Sequence, residues 1–143
     1  MATPSQHRAG ASVVIRSTPE AAFDAWLDPG KAVRFLAPNT LTVGAFENDP
    51  REGGDFRLVM QEGDIQIEHV GRYVVIERPR RLIFTWVSPG TDHRLSLVAV
   101  VFTPTGNGVR IDVDHEGLPD GERAGRHERG WASILDKLVQ LNL

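Results

Sequence analysis

At 143 residues the chain is long enough for one domain with a buried core, and its hydrophobic (41%) and charged (24%) fractions exclude a disordered, fibrous or membrane protein. Its net charge of -3 creates no broad positive field, so we expect no nucleic-acid partner. The absence of cysteine excludes disulfides and thiolate chemistry. The first apolar run, 13–15, is too short for a signal or membrane segment, which predicts a cytoplasmic protein without membrane insertion.

The beginning of the chain predicts a strand followed by two short helices. Residues 1–10 are small and polar and should form a flexible N-terminus, ahead of a single domain over 11–143. A β-branched strand covers 12–17, and Thr18-Pro19-Glu20 then supplies an N-cap, a proline at the first helical position and an early acidic residue. Asp28-Pro29-Gly30 ends this helix, and 31–36 can form one or two further turns.

The middle of the chain has the pattern of a β-meander. Its apolar and β-branched runs are separated by short segments rich in Gly, Pro, Asn and Asp. Short links join antiparallel neighbours, because a parallel connection needs a crossover of about a dozen residues or more. The predicted strands cover 41–47, 54–61, 65–77, 81–88, 93–103 and 108–116.

The last segment predicts a long helix that covers one face of the sheet. Asp120 can cap a helix over 120–142, about 30 Å long, in which apolar residues recur at helical spacing. In the strand before it, Val109, Ile111, Val113 and His115 alternate with polar residues, so one face of the sheet should be buried. We therefore predict an α+β fold in which an antiparallel sheet wraps around a long C-terminal helix.

Several short motifs, in this order, resemble a known group of proteins. They are Phe23-x-Ala25-Trp26-x-Asp28-Pro29, Gly53-Gly54-Asp55-Phe56-Arg57, Gly71-Arg72-Tyr73, Arg80-Arg81-Leu82-Ile83-Phe84-Thr85-Trp86, His115-Glu116-Gly117-Leu118-Pro119 and His127-x-x-Gly130-Trp131. Together they are similar to the bacterial proteins that resemble the activator of the heat-shock-protein-ninety ATPase, within the START-like (SRPBCC, helix-grip) superfamily. The resemblance implies a curved sheet that grips the C-terminal helix, two short helices that close one end, and an apolar cavity between helix and sheet.

The sequence lacks the usual catalytic and cofactor motifs. His127-Glu128 begins like a zinc-protease helix, but Trp131 stands where the second histidine ligand would have to be one turn later. There is no nucleophile elbow, phosphate-binding loop, dinucleotide fingerprint or calcium loop. His69, His115 and His127 show no ligand spacing, so we expect neither a metal nor a cofactor, and the residues favour a protein that is not an enzyme.

The candidate site lies between the C-terminal helix and the sheet. His127 and Trp131 are four residues apart and share the helix face that should meet the sheet. His115 ends an inward file of residues, so its imidazole should lie at the rim of the core. The predicted ligand walls are Phe35, Phe56, Met60, Tyr73, Trp86 and Trp131, with His115 and His127 as polar anchors. The alternative for the apolar residues is ordinary core packing, and for His127 a ring satisfied by a backbone carbonyl or by a carboxylate from the sheet.

Three functions remain open from the sequence. The first is binding of a small apolar ligand in the cavity. The second is a co-chaperone-like interaction module, which predicts a filled interior, an exposed apolar patch and a chaperone partner; a homodimer is a further possible assembly. The third is a cyclase-like or hydratase-like enzyme, for which His115, His127 and Tyr73 are the plausible acid–base set.

Overall fold

The computed structural model of the protein describes residues 7–143. Seven strands and three α-helices follow one another in the predicted order. The elements are β1 (His7–Ile15), α1 (Pro19–Ala25), α2 (Pro29–Ala32), β2 (Thr42–Asn48), β3 (Asp55–Glu62), β4 (Ile65–Glu77), β5 (Arg81–Trp86), a 3-10 turn (Pro89–Thr91), β6 (Ser96–Pro104), β7 (Val109–Leu118) and α3 (Gly121–Val139).

All strands belong to one antiparallel sheet in the order β1-β7-β6-β5-β4-β3-β2. Strands β2 to β7 form the predicted meander, and β1 returns to pair with β7. Register shifts in β1, β2 and β4 mark irregularities of the kind that bend a sheet. The predicted α+β architecture, a curved sheet around a C-terminal helix, is confirmed.

The first strand begins earlier than the sequence predicts. It starts at His7 rather than at residue 12, because the backbone of 7–11 pairs with the far end of β7, where Ala9 lies opposite His115. The small and polar residues of 7–11 do not by themselves indicate a strand. Their pairing partner is β7, about a hundred residues further along the chain. The part of the predicted N-terminus that covers 1–6 lies outside the described residues.

The first short helix begins as its sequence indicates, whereas the second begins at Pro29 rather than at residue 31, because Asp28-Pro29 starts α2 instead of only ending α1. The hydroxyl of Thr18 accepts a hydrogen bond from the backbone N–H of Ala21 at 3.1 Å, and Pro19 occupies the first turn of α1. The carboxylate of Asp28 caps α2 in the same way, accepting from Gly30 N–H at 2.9 Å. The two helices leave Phe23 and Trp26 pointing into the core beneath the sheet.

Helix α3 lies on the concave face of the sheet, against β1 and β7. Asp120 caps it by accepting a hydrogen bond from Arg123 N–H at 2.8 Å. The residues that α3 buries are Ala124, Trp131, Ile134, Leu135 and Leu138, which recur at helical spacing. Among residues 7–143, no helix is long and apolar enough to cross a membrane.

Candidate ligand pocket

A pocket of about 410 Å³ opens between α3 and the sheet. One side is α3, and the other consists of β3, β4 and the end of β5. The 3-10 turn and the segment after α2 close its ends. The lining residues are Pro38, Leu41, Met60, Ile67, His69, Trp86, Ser88, Pro89, Gly90, Arg126, His127, Gly130, Trp131 and Ile134. The lining is therefore mainly apolar, with polar side chains from β4, the 3-10 turn and the first half of α3.

Two tryptophans form the inner wall of the pocket. The rings of Trp86 and Trp131 lie 5.4 Å apart, tilted by 52°, and the side chains are 3% and 2% exposed. On its other side Trp131 meets Trp26 at 6.3 Å. A tilted pair of aromatic rings presents both faces and edges, which suits contact with a flat apolar molecule.

A hydrogen-bond chain behind Trp131 connects α3 to the sheet. The indole N–H of Trp131 donates to Nδ1 of His115 at 3.1 Å. Nδ1 therefore carries the lone pair, so Nε2 carries the hydrogen and donates to Ser96 Oγ at 2.8 Å. Ser96 in turn donates to the carbonyl oxygen of Trp86 at 2.6 Å. Every polar atom of the imidazole has a partner, which fixes its tautomer and the rotation of the Trp131 ring.

The prediction that His115 lies at the rim of the core is wrong. Its side chain is 0% exposed, because α3 and the Trp131 ring cover the end of the inward file on β7. Burial, and to a smaller extent the nearby His127 and His69, lowers the pKa of His115 to about 3. The ring is thus neutral at physiological pH and does not line the pocket.

The other two histidines of the cluster do line the pocket. Nδ1 of His127 lies 2.8 Å from the carbonyl oxygen of Arg123, and its ring stands perpendicular to that of His115 at 4.9 Å. Burial lowers the pKa of His127. His69 packs against Trp86 at 4.8 Å, and burial lowers its pKa to about 4 even though the carbonyl of Ile67 accepts its Nδ1–H.

A second, much smaller space of about 20 Å³ lies deeper in the core, on the other side of Trp86. Phe56 and Tyr73 line it, with their rings 5.4 Å apart. Asn48 donates to the Tyr73 hydroxyl at 3.1 Å and to the carbonyl of Leu27 at 2.8 Å. Burial raises the pKa of Tyr73 to about 12, so it stays a phenol. This space holds about one water molecule, far less than an organic ligand.

The predicted site residues are thus divided among four places. Met60, Trp86, His127 and Trp131 meet at the pocket. Phe56 and Tyr73 belong to the small inner space, which Trp86 shares. Phe35 packs edge-on against Trp26 in the core, and His115 stands behind Trp131. His115, His127 and Tyr73 therefore do not surround one common space as an acid–base set.

Several lining residues were not among the predicted site residues. The sequence indicates only a turn at 88–90, whereas in the structure Ser88 caps the 3-10 turn Pro89–Thr91, and Ser88, Pro89 and Gly90 line the pocket near His127. Ile67 and His69 face the pocket because residues two apart on β4 lie on the same face of the sheet. The strand pattern of the sequence could have indicated this shared face. Across residues 7–143, no group of three His, Asp or Glu side chains is arranged to hold a metal ion.

The opposite, convex face of the sheet carries an open groove. Val70 and Val87 form an isolated β-bridge at its floor, and Leu95 beside them is 70% exposed. Charged pairs flank it, including Arg72 with Asp55 at 3.0 Å. The groove is a shallow surface feature rather than an enclosed pocket.

Comparison with known proteins agrees with this architecture. The profile of the family described as Activator of Hsp90 ATPase homolog 1-like protein matches residues 16–142. The chain belongs to this family. The match begins directly after β1 and covers β2 to β7 and all of α3, so it includes every residue of the pocket. Membership favours a ligand-binding or chaperone-like module. Among curated proteins no match is found.

Several bacterial proteins of known structure have the same fold as this chain. The AHSA1 protein of Silicibacter pomeroyi is 31% identical, with a TM-score of 0.79 over 94% of this chain and 96% of that one. A protein of Chromobacterium violaceum is 23% identical, with a TM-score of 0.84 over the same shares of the two chains. A Mesorhizobium loti protein, 24% identical, has a TM-score of 0.77 over 94% and 95%. The last two likenesses concern the fold alone.

Proposed function

We propose that the protein binds a small apolar ligand in the pocket between α3 and the sheet. The observation that supports this proposal most is the volume of about 410 Å³ combined with the two tryptophans on its wall. Ligand sites in proteins typically have about 300–1,000 Å³, an apolar lining and a few polar groups. The inner space of about 20 Å³ falls far below that range.

The lining suits a ligand of apolar and partly flat shape. Met60 contributes a flexible thioether, and Trp86 and Trp131 contribute rigid aromatic surface. Gly130 lies on the pocket side of α3, and a Cβ there would meet nothing closer than Pro38 at 3.7 Å. The helix therefore leaves space where a larger residue would fill the pocket.

Calorimetric titration with fused-ring aromatic compounds, together with thermal melting, tests the proposal. A ligand at a hundredfold excess over its Kd should stabilise the fold by about 2.7 kcal/mol and raise the melting temperature accordingly. Trp131→Leu should abolish or strongly weaken this binding. Trp26→Leu is the matched control, because Trp26 is equally buried and touches Trp131 but does not line the pocket.

Both tryptophan variants should be less stable than the wild type, by roughly 2–4 kcal/mol for the loss of buried ring atoms. Trp131→Leu should lose about 1–3 kcal/mol more, because it leaves Nδ1 of His115 without its donor. Binding is therefore compared by calorimetry at a temperature where each variant is folded. The pocket is not the functional site if Trp26→Leu loses binding to the same extent as Trp131→Leu. The same conclusion follows if a broad panel of apolar compounds leaves the melting temperature of the wild type unchanged.

A second candidate function is protein binding through the convex groove. Its support is the exposed apolar surface of Leu95 and Val70, together with membership of a family described by its likeness to a chaperone activator. Leu95→Glu should then abolish capture of a chaperone partner while leaving the pocket unaffected. Retained capture by that variant would exclude the groove as the docking surface.

A further inference from the structure

The protonation state of His127 follows from its backbone contact. Nδ1 lies 2.8 Å from the Arg123 carbonyl oxygen, which can only accept, so Nδ1 carries the hydrogen. A neutral ring then has its lone pair on Nε2. Burial, and to a smaller extent the Arg123 guanidinium, lowers the pKa of His127 against the opposing effect of the hydrogen bond to the Arg123 carbonyl, so the ring is neutral at pH 7.5.

That lone pair lies at the pocket. His127 lines it, and the Cε1–Nε2 edge of its ring lies beside Gly90, another lining residue. A Cβ at Gly90 would lie 3.2 Å from Cε1 and 3.5 Å from Nε2, so a side chain at this position would crowd the edge that the glycine leaves open. Within residues 7–143, Nε2 has no hydrogen-bond partner, whereas both ring nitrogens of His115 are occupied.

We propose that the pocket selects an uncharged, ring-containing ligand with a hydroxyl group, whose O–H donates to Nε2 of His127 while its apolar body lies against Trp86 and Trp131. This inference rests on the proposed function, and it adds the chemical class of the ligand. A phenol or an alicyclic alcohol has the required donor; an ether or a plain hydrocarbon of the same shape does not.

A carboxylate does not fit the same position. Its oxygens only accept, so it would face the lone pair of His127 with no hydrogen between them. The one cationic side chain on the lining, Arg126, points to solvent and is already paired with Glu122 one turn away. The polar end of the pocket thus offers a hydrogen-bond acceptor rather than a site for a negative charge.

Three probes of similar shape test the inference by calorimetry on the full chain at pH 7.5. They are 2-naphthol, 2-methoxynaphthalene and 2-naphthoate. We expect 2-naphthol to bind about two- to tenfold more tightly than 2-methoxynaphthalene, as one neutral hydrogen bond provides. In His127→Phe that preference should disappear, while 2-methoxynaphthalene should bind about as well as it does to the wild type.

The outcomes separate this inference from the proposed function. If none of the probes binds, both fail. If 2-methoxynaphthalene and 2-naphthol bind the wild type equally, the pocket stands and the hydroxyl subsite is wrong. Tighter binding of 2-naphthoate than of 2-naphthol also overturns the subsite, because it would indicate a charge contact with Arg126. The wild-type comparison decides the matter even if His127→Phe does not fold.

Discussion

Mild acid should destabilise the protein through histidines that the fold keeps neutral. The pKa of His115 is about 3 and that of His69 about 4, against an ordinary value of 6.5. The unfolded chain therefore takes up protons on both rings below pH 6.5, whereas the folded chain does not. Stability is fully present above pH 6.5 and is lost as the pH falls toward 4 and 3, because proton binding favours the unfolded state.

The size of the effect follows from the same values. At pH 5 each ring should lower the free energy of unfolding by about 2 kcal/mol, and the two together by roughly 4. That is a large part of the usual 5–15 kcal/mol. His127, whose pKa is also lowered, acts in the same direction. Most carboxylates remain ionised at pH 5, which separates the histidine effect from ordinary acid unfolding.

Urea unfolding at pH 7.5, 6 and 5 measures this loss. The matched variant is His115→Gln, which removes one of the titrating rings but keeps a side chain able to donate and accept. It should be less stable at pH 7.5, yet its free energy of unfolding should fall by about 2 kcal/mol less than that of the wild type between pH 7.5 and 5. A wild type equally stable at both pH values, or a variant with the full wild-type loss, would refute the reasoning.

Three further substitutions test individual contacts. Gly130→Ala should stabilise the fold by up to about 1 kcal/mol in urea unfolding, because its Cβ meets only Pro38 at 3.7 Å and α3 gains helix propensity; a loss of stability would contradict this. Gly71→Ala should destabilise strongly, since its Cβ would lie 2.0 Å from the Thr85 carbonyl oxygen, and an unchanged melting temperature would count against the close approach of β4 and β5. Lys137→Met should lower the free energy of unfolding by about 1–3 kcal/mol, because the Lys137 ammonium donates to the carbonyls of Ala37 and Leu41. Lys137→Arg should keep part of that stability. An equal loss in both variants would exclude the hydrogen bonds as the cause.

The sheet and helix were predictable because their signals are local and periodic. The alternation from Val109 to Val113 and the helical spacing that includes Trp131 each indicate a buried face without reference to the rest of the chain. The strand bounds agree within a few residues except at β1. There the pairing partner, not the sequence of 7–11, determines that a strand forms.

The site was only partly predictable because it depends on contacts between distant elements. Trp131 and Met60 were recognisable as inward residues. No sequence pattern indicates that hydrogen bonds enclose His115 while one ring nitrogen of His127 has no partner in the part of the chain that the structure describes. Likewise, the local sequence around Gly90 indicates only a turn. The place of Gly90 beside His127 follows from how the 3-10 turn after β5 meets α3, which no local pattern specifies.

The chain from Trp131 through His115 and Ser96 to the Trp86 carbonyl also limits how α3 can be placed. Apolar contacts alone tolerate a helix that slides or rotates by one turn, since a leucine can replace another against the same strand. A shift of about 5 Å would leave the imidazole and the indole without partners in a dry interior, at a cost of about 1–3 kcal/mol for each orphaned group. This series of hydrogen bonds therefore selects one alignment of helix and sheet among several with comparable hydrophobic burial. The same alignment determines the shape of the pocket.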